Sequence, residues 1–594
     1  MPRKETPVFS HKSNPIPLKL FDSGAFTYKS LIMKYLLCFI ISFLLGQTAL
    51  FTQHIETIKD QKPAEVRGNI TAQTGFYDVS GIAPRGSPFF WNINGSLNVR
   101  LWNTLDLPFA FSLGRTGSRA NYPTFTQFGL SPTYKWITLH VGYRNMFFSP
   151  YTLAGHTFLG GGIELKPGKL RFAAMYGRLR NAAEVDTTRS FVEPAFKRIG
   201  LGMKLGYGSE QTHLDFILFK GKDDPNSLSQ SNLPGLTPAE NLVVGVNARI
   251  TLFKNLQLNS NWAASAFTRD LNSLPVIADS LNGSIGKYIP DEILQTKAST
   301  RANLAGNTTL TWSKNSFRLN LEYERIDPEY ETMGAWFFAN DLERYTVSPA
   351  LGVWKNKIRV SGTYGIQRNN LLGNRLETTT RNIGAANLDF NPSPKWGVNV
   401  NFSNYSIYQK SGTIEIDDTI AFNLQTTTFT FVPRLTISQG NTSQNWSLMV
   451  NRQISNQDNK AFFEQSQHFQ STIATLSHNL VFLSNNLAIQ TSLNYHQFTV
   501  ANLETRLYGG SLGLNLPVKK DLFRIAFSLS FNKRVLNMAD DGATFNGYFN
   551  LLYKPAAGHS LTLSGGLLSG FGTISSDFSE WRANLMYTYR FGGQ

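Results

Sequence analysis

The sequence predicts an all-β chain, a transmembrane antiparallel up-and-down β-barrel of roughly 26 strands (22–26) with no N-terminal plug domain. Three observations predict it. Apolar and polar residues alternate with period two in segments of roughly ten residues. The mean hydropathy is −0.20, too polar for a bundle of membrane helices. Short turns alternate with long loops along the chain. A barrel reconciles a polar average with membrane residence, because only alternate side chains of each strand meet lipid.

The alternation begins near Val66. Trp91, Ile93, Gly95, Leu97, Val99 and Leu101 share one face, and Asn92, Asn94, Ser96, Asn98 and Arg100 share the other. Ile199, Leu201, Met203, Leu205 and Tyr207 oppose Arg198, Gly200, Gly202, Lys204 and Gly206. Near the end, Phe523, Ile525, Phe527, Leu529 and Phe531 oppose Arg524, Ala526, Ser528, Ser530 and Asn532. The segments 379–390 and 467–483 alternate poorly, which leaves the strand number open by about four. Strands of soluble sandwiches are usually shorter, about five or six residues.

Short polar turns include Lys166-Pro167-Gly168-Lys169, Lys254-Asn255, Ser313-Lys314-Asn315 and Ser484-Asn485-Asn486. Between them lie longer loops near 181–195, 221–240, 270–300, 326–343, 368–379, 406–422 and 454–466. Tight turns at one end and long loops at the other are the layout of a membrane barrel. Trp91, Trp102, Trp136, Tyr207, Trp354, Trp396 and Trp446 fall near strand ends, where aromatic rings suit the two interfacial girdles.

The N-terminus reads as a targeting segment. Lys34 precedes the apolar run Tyr35–Leu45, and Gly46, Thr48 and Ala49 follow. The run is about half of the roughly 20 residues that a spanning helix needs. The expected organisation is therefore an upstream extension over 1–32 with the start at Met33, a signal peptide over 33–53, a short lead over 54–65, and the barrel over 66–591. Cys38, the one cysteine, precedes most of the apolar core, so lipidation is discounted and no disulfide forms within the chain.

The chain carries a net charge of +16. Residues 1–53 contain six basic and two acidic residues, so the remainder carries 50 − 38 = +12. The basic residues are spread along the chain rather than clustered, which argues against nucleic acid as a partner. Face assignment places Arg100, Arg144, Arg171, Arg198, Lys204, Arg249, Arg318, Arg359, Arg434, Arg524, Arg582 and Arg590 towards the lumen. Glu164, Asp215, Glu322, Glu324 and Asp389 are the inward acids. Basic residues outnumber acids about two to one, so cross-strand pairing such as Arg318 with Glu322 cannot satisfy all of them. The surplus predicts a preference for anions.

No nucleophile elbow and no phosphate-cradling glycine loop is present, and the histidines lack metal-ligand spacing, so no enzyme, cofactor or metal is expected. His213 and Asp215 share a face without an assignable nucleophile. The acidic groups Asp223-Asp224-Pro225-Asn226 and Glu415-Ile416-Asp417-Asp418 do not match a calcium loop and read as solvated turns. Loop 270–300, with Leu274-Pro275-Val276-Ile277 and the turn Pro290–Leu294, is equally readable as a segment folded into the lumen or as an external loop.

Tyr587, Tyr589 and Phe591 share a face three residues from the end, and this strand resembles the C-terminal sorting signal of bacterial outer-membrane barrels. The Gly592-Gly593-Gln594 overhang departs from that pattern, in which the aromatic is last. Asn/Thr/Tyr-rich strands, and the phrase Lys222–Ser227 leading to Glu240–Gly245, resemble large outer-membrane barrels of the Bacteroidota type over residues 66–591. The resemblance implies a bacterial outer-membrane location and transfers no functional residue. Two functions are then open: a porin-like channel or transporter, or a structural or secretion-associated barrel whose lumen is closed by loops or a partner protein. The expected partners are outer-membrane lipid, the barrel-assembly machinery, and a plugging or surface protein.

Overall fold

The computed structural model describes residues 63–592 apart from 103–104, 116–126, 185–192, 230–234, 277–293, 336–338, 413–420, 459–466, 502, 520–521 and 573–576. The expected signal peptide over 33–53 and the expected start at Met33 lie outside the described residues.

The strands follow one another round a single antiparallel sheet. First come β1 (Ala64–Ser80), β2 (Phe89–Leu101) and β3 (Leu105–Arg115). β4 (Gln127–Leu130) and β5 (Thr133–Tyr134) both pair with β3 and with the next strand, so they are two pieces of one strand. Pro132 sits in the interruption, where a residue without an N–H cannot serve the ladder. A first arc comprises β6 (Ile137–Phe147), β7 (Ala154–Leu165), β8 (Leu170–Arg180), β9 (Arg198–Gly208), β10 (His213–Asp223) and β11 (Glu240–Phe253). It continues through β12 (Leu256–Thr268), β13 (Thr300–Lys314), β14 (Phe317–Ile326), β15 (Leu342–Val353) and β16 (Ile358–Arg368).

The second arc is built of longer strands. They are β17 (Glu377–Phe390), β18 (Trp396–Ser411), β19 (Phe422–Gln439), β20 (Thr442–Asp458), β21 (Gln467–Phe482) and β22 (Leu487–Val500). Then come β23 (Leu503–Val518), β24 (Phe523–Leu536), β25 (Ala539–Tyr553), β26 (His559–Phe571) and β27 (Phe578–Phe591). β27 pairs with β1 from Gly68↔Phe591 to Ser80↔Ser579, which closes the sheet. With β4 and β5 counted as one, the barrel has 26 strands, an even number that lets first and last strands meet antiparallel.

Alternation places the two faces. In β10, Asp215, Ile217, Phe219, Gly221 and Asp223 are buried while Leu214 and Phe216 are exposed. The buried parity is the concave side, and register carries it across strands, for example Phe219↔Val243 and Asp215↔Asn247. Leu201, Leu205, Phe216, Val347, Leu351, Leu493, Leu512 and Phe527 stand exposed on the convex side. The two weakly alternating segments are strands all the same, because their neighbours on both sides fix their register. Their imperfect pattern has a local cause: Ile383 and Ile473 lie on the concave face, while Asn382 and Gln470 lie on the convex one.

Tight turns gather at the end that carries Pro63 and Phe591. Asn315, Trp354, Lys355, Asn356 and Asn486 take positive φ there, the backbone such hairpins need. Long loops occupy most of the other end, but it also holds two tight connections, one between Val500 and Leu503 and one at Asn537-Met538, whose φ values are 44° and 68°. Strand heights differ between arcs. An 11-residue strand such as β8 rises about 36 Å along its own direction and the 18-residue β19 about 60 Å. The wall of the second arc therefore stands higher.

If closure carries the fold, truncation before Phe578 leaves β1 and β26 with open edges. Such a chain is expected to lose the heat-modifiable gel mobility of the folded barrel. A truncated chain that kept that mobility would contradict the closure.

Candidate functional site

A circular section of 26 strands tilted by about 40° would be about 50 Å across, so the lumen is the largest feature the fold creates. Its contents divide into an inserted loop at the long-loop end, a belt of ion pairs, and a basic mouth at the short-turn end.

The insertion joins β14 to β15 over residues 327–341. Tyr330 and Met333 are buried in a cluster with Leu153, Phe158, Met175, Ile217, Phe219 and Val243 of the first arc. The Tyr330 hydroxyl donates to the carbonyl of Tyr151 at 2.5 Å, and the Thr332 hydroxyl to that of Thr152 at 2.9 Å. The amide of Met333 donates to Asn241 Oδ1 at 3.0 Å. The amide of Ala154 donates to the carbonyl of Gly334 at 2.9 Å. Small residues on the wall make room for it. A Cβ on Gly221 would stand 2.8 Å from the Met333 side chain, and one on Gly245 2.8 Å from Thr152 Cγ2. Gly334 itself could not carry a Cβ, which would meet the Thr152 carbonyl at 2.3 Å.

Loop 270–300 behaves differently at its described ends. Leu294 is buried with Leu242 and Ala266, and Leu218 packs on them. These wall residues have the parity opposite to Val243 and Ser265, so the foot of this loop covers the convex face. Residues 327–335 turn inward, as does the loop after β6, whose Tyr151 hydroxyl reaches Glu324. Residues 277–293, with the turn Pro290–Leu294 up to Ile293, lie outside the described residues.

The inward carboxylates are held by basic side chains. Arg171 holds the buried Asp215 through two bonds of 2.7 and 3.0 Å. Arg198 holds the buried Asp223 in the same way at 2.7 and 3.0 Å, with Arg180 at 3.4 Å. Glu322 and Glu324 both pair with Arg344, at 3.3 and 2.7 Å, and the Tyr151 hydroxyl donates to Glu324 at 2.8 Å. Arg318 is thus not the partner of Glu322; the two are four residues apart on one strand, whereas Arg344 faces Glu324 across the ladder. Glu164 meets His140 at 3.2 Å and Lys166 at 3.6 Å. Lys204 lies 5.3 Å from the Phe148 ring, Arg144 reaches the Pro108 carbonyl at 3.2 Å, and Arg582 pairs with Glu580 at 2.5 Å. Arg100 pairs with Asp106 at 2.7 Å. Bidentate bonds to buried carboxylates are specific but add little net stability, because both charges were desolvated.

The short-turn mouth is different. Arg249 (β11), Arg318 (β14), Arg359 (β16), Arg434 (β19), Arg524 (β24) and Arg590 (β27) lie near that end on the concave parity. Arg249 donates to Asn259 Oδ1 at 2.8 Å and Arg434 to Asn391 Oδ1 at 2.6 Å, both neutral acceptors. Arg359 lies opposite Asp389 in register, but the Asp389 carboxylate accepts from Asn399 Nδ2 at 2.6 Å. Among the described residues, Arg318, Arg359 and Arg590 make no ion pair. Much of the surplus charge of the lumen is therefore gathered at this mouth.

Sequence reasoning missed Arg344, Asp106, Asp223 and Glu580 as lumenal pairing partners. Arg344 was hidden because the 326–343 stretch reads as loop, although Tyr345, Val347 and Leu351 already mark its strand's outward face. His213 Nε2 is 4.0 Å from Asp215, a carboxylate already committed to Arg171. Of the two acidic groups considered for calcium, Asp223 serves Arg198, and 415–418 lies outside the described residues. Among the described residues no group of three His, Cys, Asp or Glu is placed to hold a metal.

No family model matches the chain, and no curated protein matches it. Solved structures similar to it include OccAB2 of Acinetobacter baumannii, at 10% identity over 60% of this chain and 92% of that one, with a TM-score of 0.28. OccK9 (OpdG) of Pseudomonas aeruginosa is similar at 12% identity over 66% and 98%, TM-score 0.29. The P pilus usher (PapC) translocation pore is similar at 10% identity over 88% and 99%, TM-score 0.34. Likenesses this distant carry no functional residue to this chain.

The insertion yields two expectations. Tyr330→Ala should cost about 3–5 kcal/mol locally and free the loop, whereas Tyr330→Phe should cost about 1 kcal/mol. Limited proteolysis within 327–341 would report both. Burial pushes the Tyr330 phenol well above its ordinary value, and burial together with the Glu324 carboxylate does the same to Tyr151. The ionised forms are disfavoured in the docked loop, so its stability is full below the ordinary tyrosine value of about 10 and falls as pH rises above it. Cleavage of the loop should increase above that pH and not on acidification to neutrality.

Proposed function

We propose that the chain is an outer-membrane barrel that forms a porin-like channel for solutes, with anions preferred. Residues 33–53 would direct its export, and the long-loop end would face outward. The convex apolar face supports membrane residence, since a closed sheet leaves no unpaired edge for lipid to meet. The observation that carries the anion preference is that Arg318, Arg359 and Arg590, at the short-turn mouth, make no ion pair among the described residues. Facing water, such charges raise the local potential, and the effect is screened beyond roughly 8–10 Å at physiological salt. The matched pairs, such as Arg171 with Asp215 and Arg198 with Asp223, contribute little net field.

A second reading is a barrel whose lumen receives a partner protein. It is favoured by a concave apolar stripe in the second arc: Ile383 opposite Tyr405, Ile407 opposite Leu424, and Phe498, Ile473 and Leu507 on the same side. A water-filled wall gains nothing from these side chains, whereas a docked partner would bury them.

Reversal potentials of the protein in planar bilayers under a salt gradient separate the readings. The channel reading expects steady conductance with anion selectivity, shifted towards cations in an Arg318→Glu, Arg359→Glu, Arg590→Glu triple variant. Cation selectivity in the unaltered protein would remove the anion preference. Silence, together with a co-purifying protein, would favour the second reading.

A further inference from the structure

One part of the basic mouth is more than a charged rim. Four neighbouring strands bring together Thr251 (β11), Gln257 (β12), Thr311 (β13) and Asn320 (β14), consecutive partners across the ladders. Directly opposed side chains stand about 5 Å apart, so these four hydroxyl and amide groups form one polar shelf on the concave side. Below it lie Arg318 and the turn residue Lys254. These residues line a single recess of about 480 Å³ that has no acidic residue in its lining.

The chemistry of the recess is selective. Neither Arg318 nor Lys254 makes an ion pair among the described residues, while Glu322, two residues beyond Asn320, is already held by Arg344. Arg318 contributes a planar fork of donors, Lys254 a compact charge, and the shelf contributes further donors that turn to suit. That combination matches an oxyanion with several acceptor atoms better than a halide. The volume suits a small solute rather than a polymer.

We infer that this recess is a binding site for small solutes bearing a carboxylate or phosphate group, loaded from the short-turn side of the barrel. The inference deepens the channel reading, in which the site would concentrate its anion at the mouth, but binding itself needs no conduction.

The test uses full-length protein folded in detergent, with inorganic phosphate and acetate as separate probes, followed by equilibrium dialysis and by ³¹P line broadening for phosphate. Saturable binding of at least one probe is expected in the presence of excess chloride. It should weaken at least tenfold in an Arg318→Gln, Lys254→Gln double variant. A Lys395→Gln, Lys554→Gln double variant, altered in two other turns of the same end, should bind as the unaltered protein does. Non-saturable uptake of both probes, complete competition by chloride, or equal loss in the two double variants would overturn the site. All four positions are exposed or half-buried, and heat-modifiable mobility checks that each variant folds. A protein that is silent in bilayers yet binds phosphate would sink the channel reading and leave the site standing.

Discussion

The pairing of the last strand with the first is the constraint on which the rest of this molecule depends. From Gly68↔Phe591 to Ser80↔Ser579, the ladder between β27 and β1 consumes the edge hydrogen bonds that an open sheet would expose. Once it is made, every strand has two neighbours and the sheet has only an inside and an outside. The alternation of side chains then becomes a separation of environments. Leu201 and Leu205 stand on one side of β9, and Gly202 and Lys204 on the other, because a pleat leaves no third direction.

Closure at this width creates a space that side chains from the wall cannot fill, and the two arcs meet it differently. The first arc receives residues 327–335. Glycine and alanine at Gly221, Gly245, Ala263 and Ala305 keep the concave wall low there, so that Tyr330 and Met333 settle against it. The second arc carries taller strands, and on its concave side apolar residues such as Ile407 and Leu424 stand among Asn and Thr. The lumen is therefore asymmetric round its circumference.

It is also asymmetric along its axis. Carboxylates in the upper and middle lumen are each matched by an arginine, as Asp223 is by Arg198 and Glu324 by Arg344. At the short-turn mouth from β11 onward, Arg249 and Arg434 turn to amides, and Arg318, Arg359 and Arg590 make no ion pair among the described residues. A net charge spread evenly along the sequence thus becomes a local field. The ladder does this by bringing residues far apart in the chain into contact, as Arg171 and Asp215 are brought.

What the sequence determined by itself was local. Period-two alternation over ten or more residues set strands and their two faces, and turn residues such as Asn315 and Asn486 set the tight end, since parity and φ preference need only near neighbours. Even the weakly alternating stretches at 379–390 and 467–483 joined the sheet only because strands on either side held them. The tertiary structure alone decided which arginine meets a carboxylate. Arg318 had Glu322 four residues away on its own strand and does not reach it, while Arg344 does so from the next strand. The tertiary structure also decided that 327–335 turns inward while the foot of 270–300 lies on the outer face. A loop's direction depends on whether the opposite wall leaves a hollow, and that hollow is assembled from glycines on strands distant in sequence.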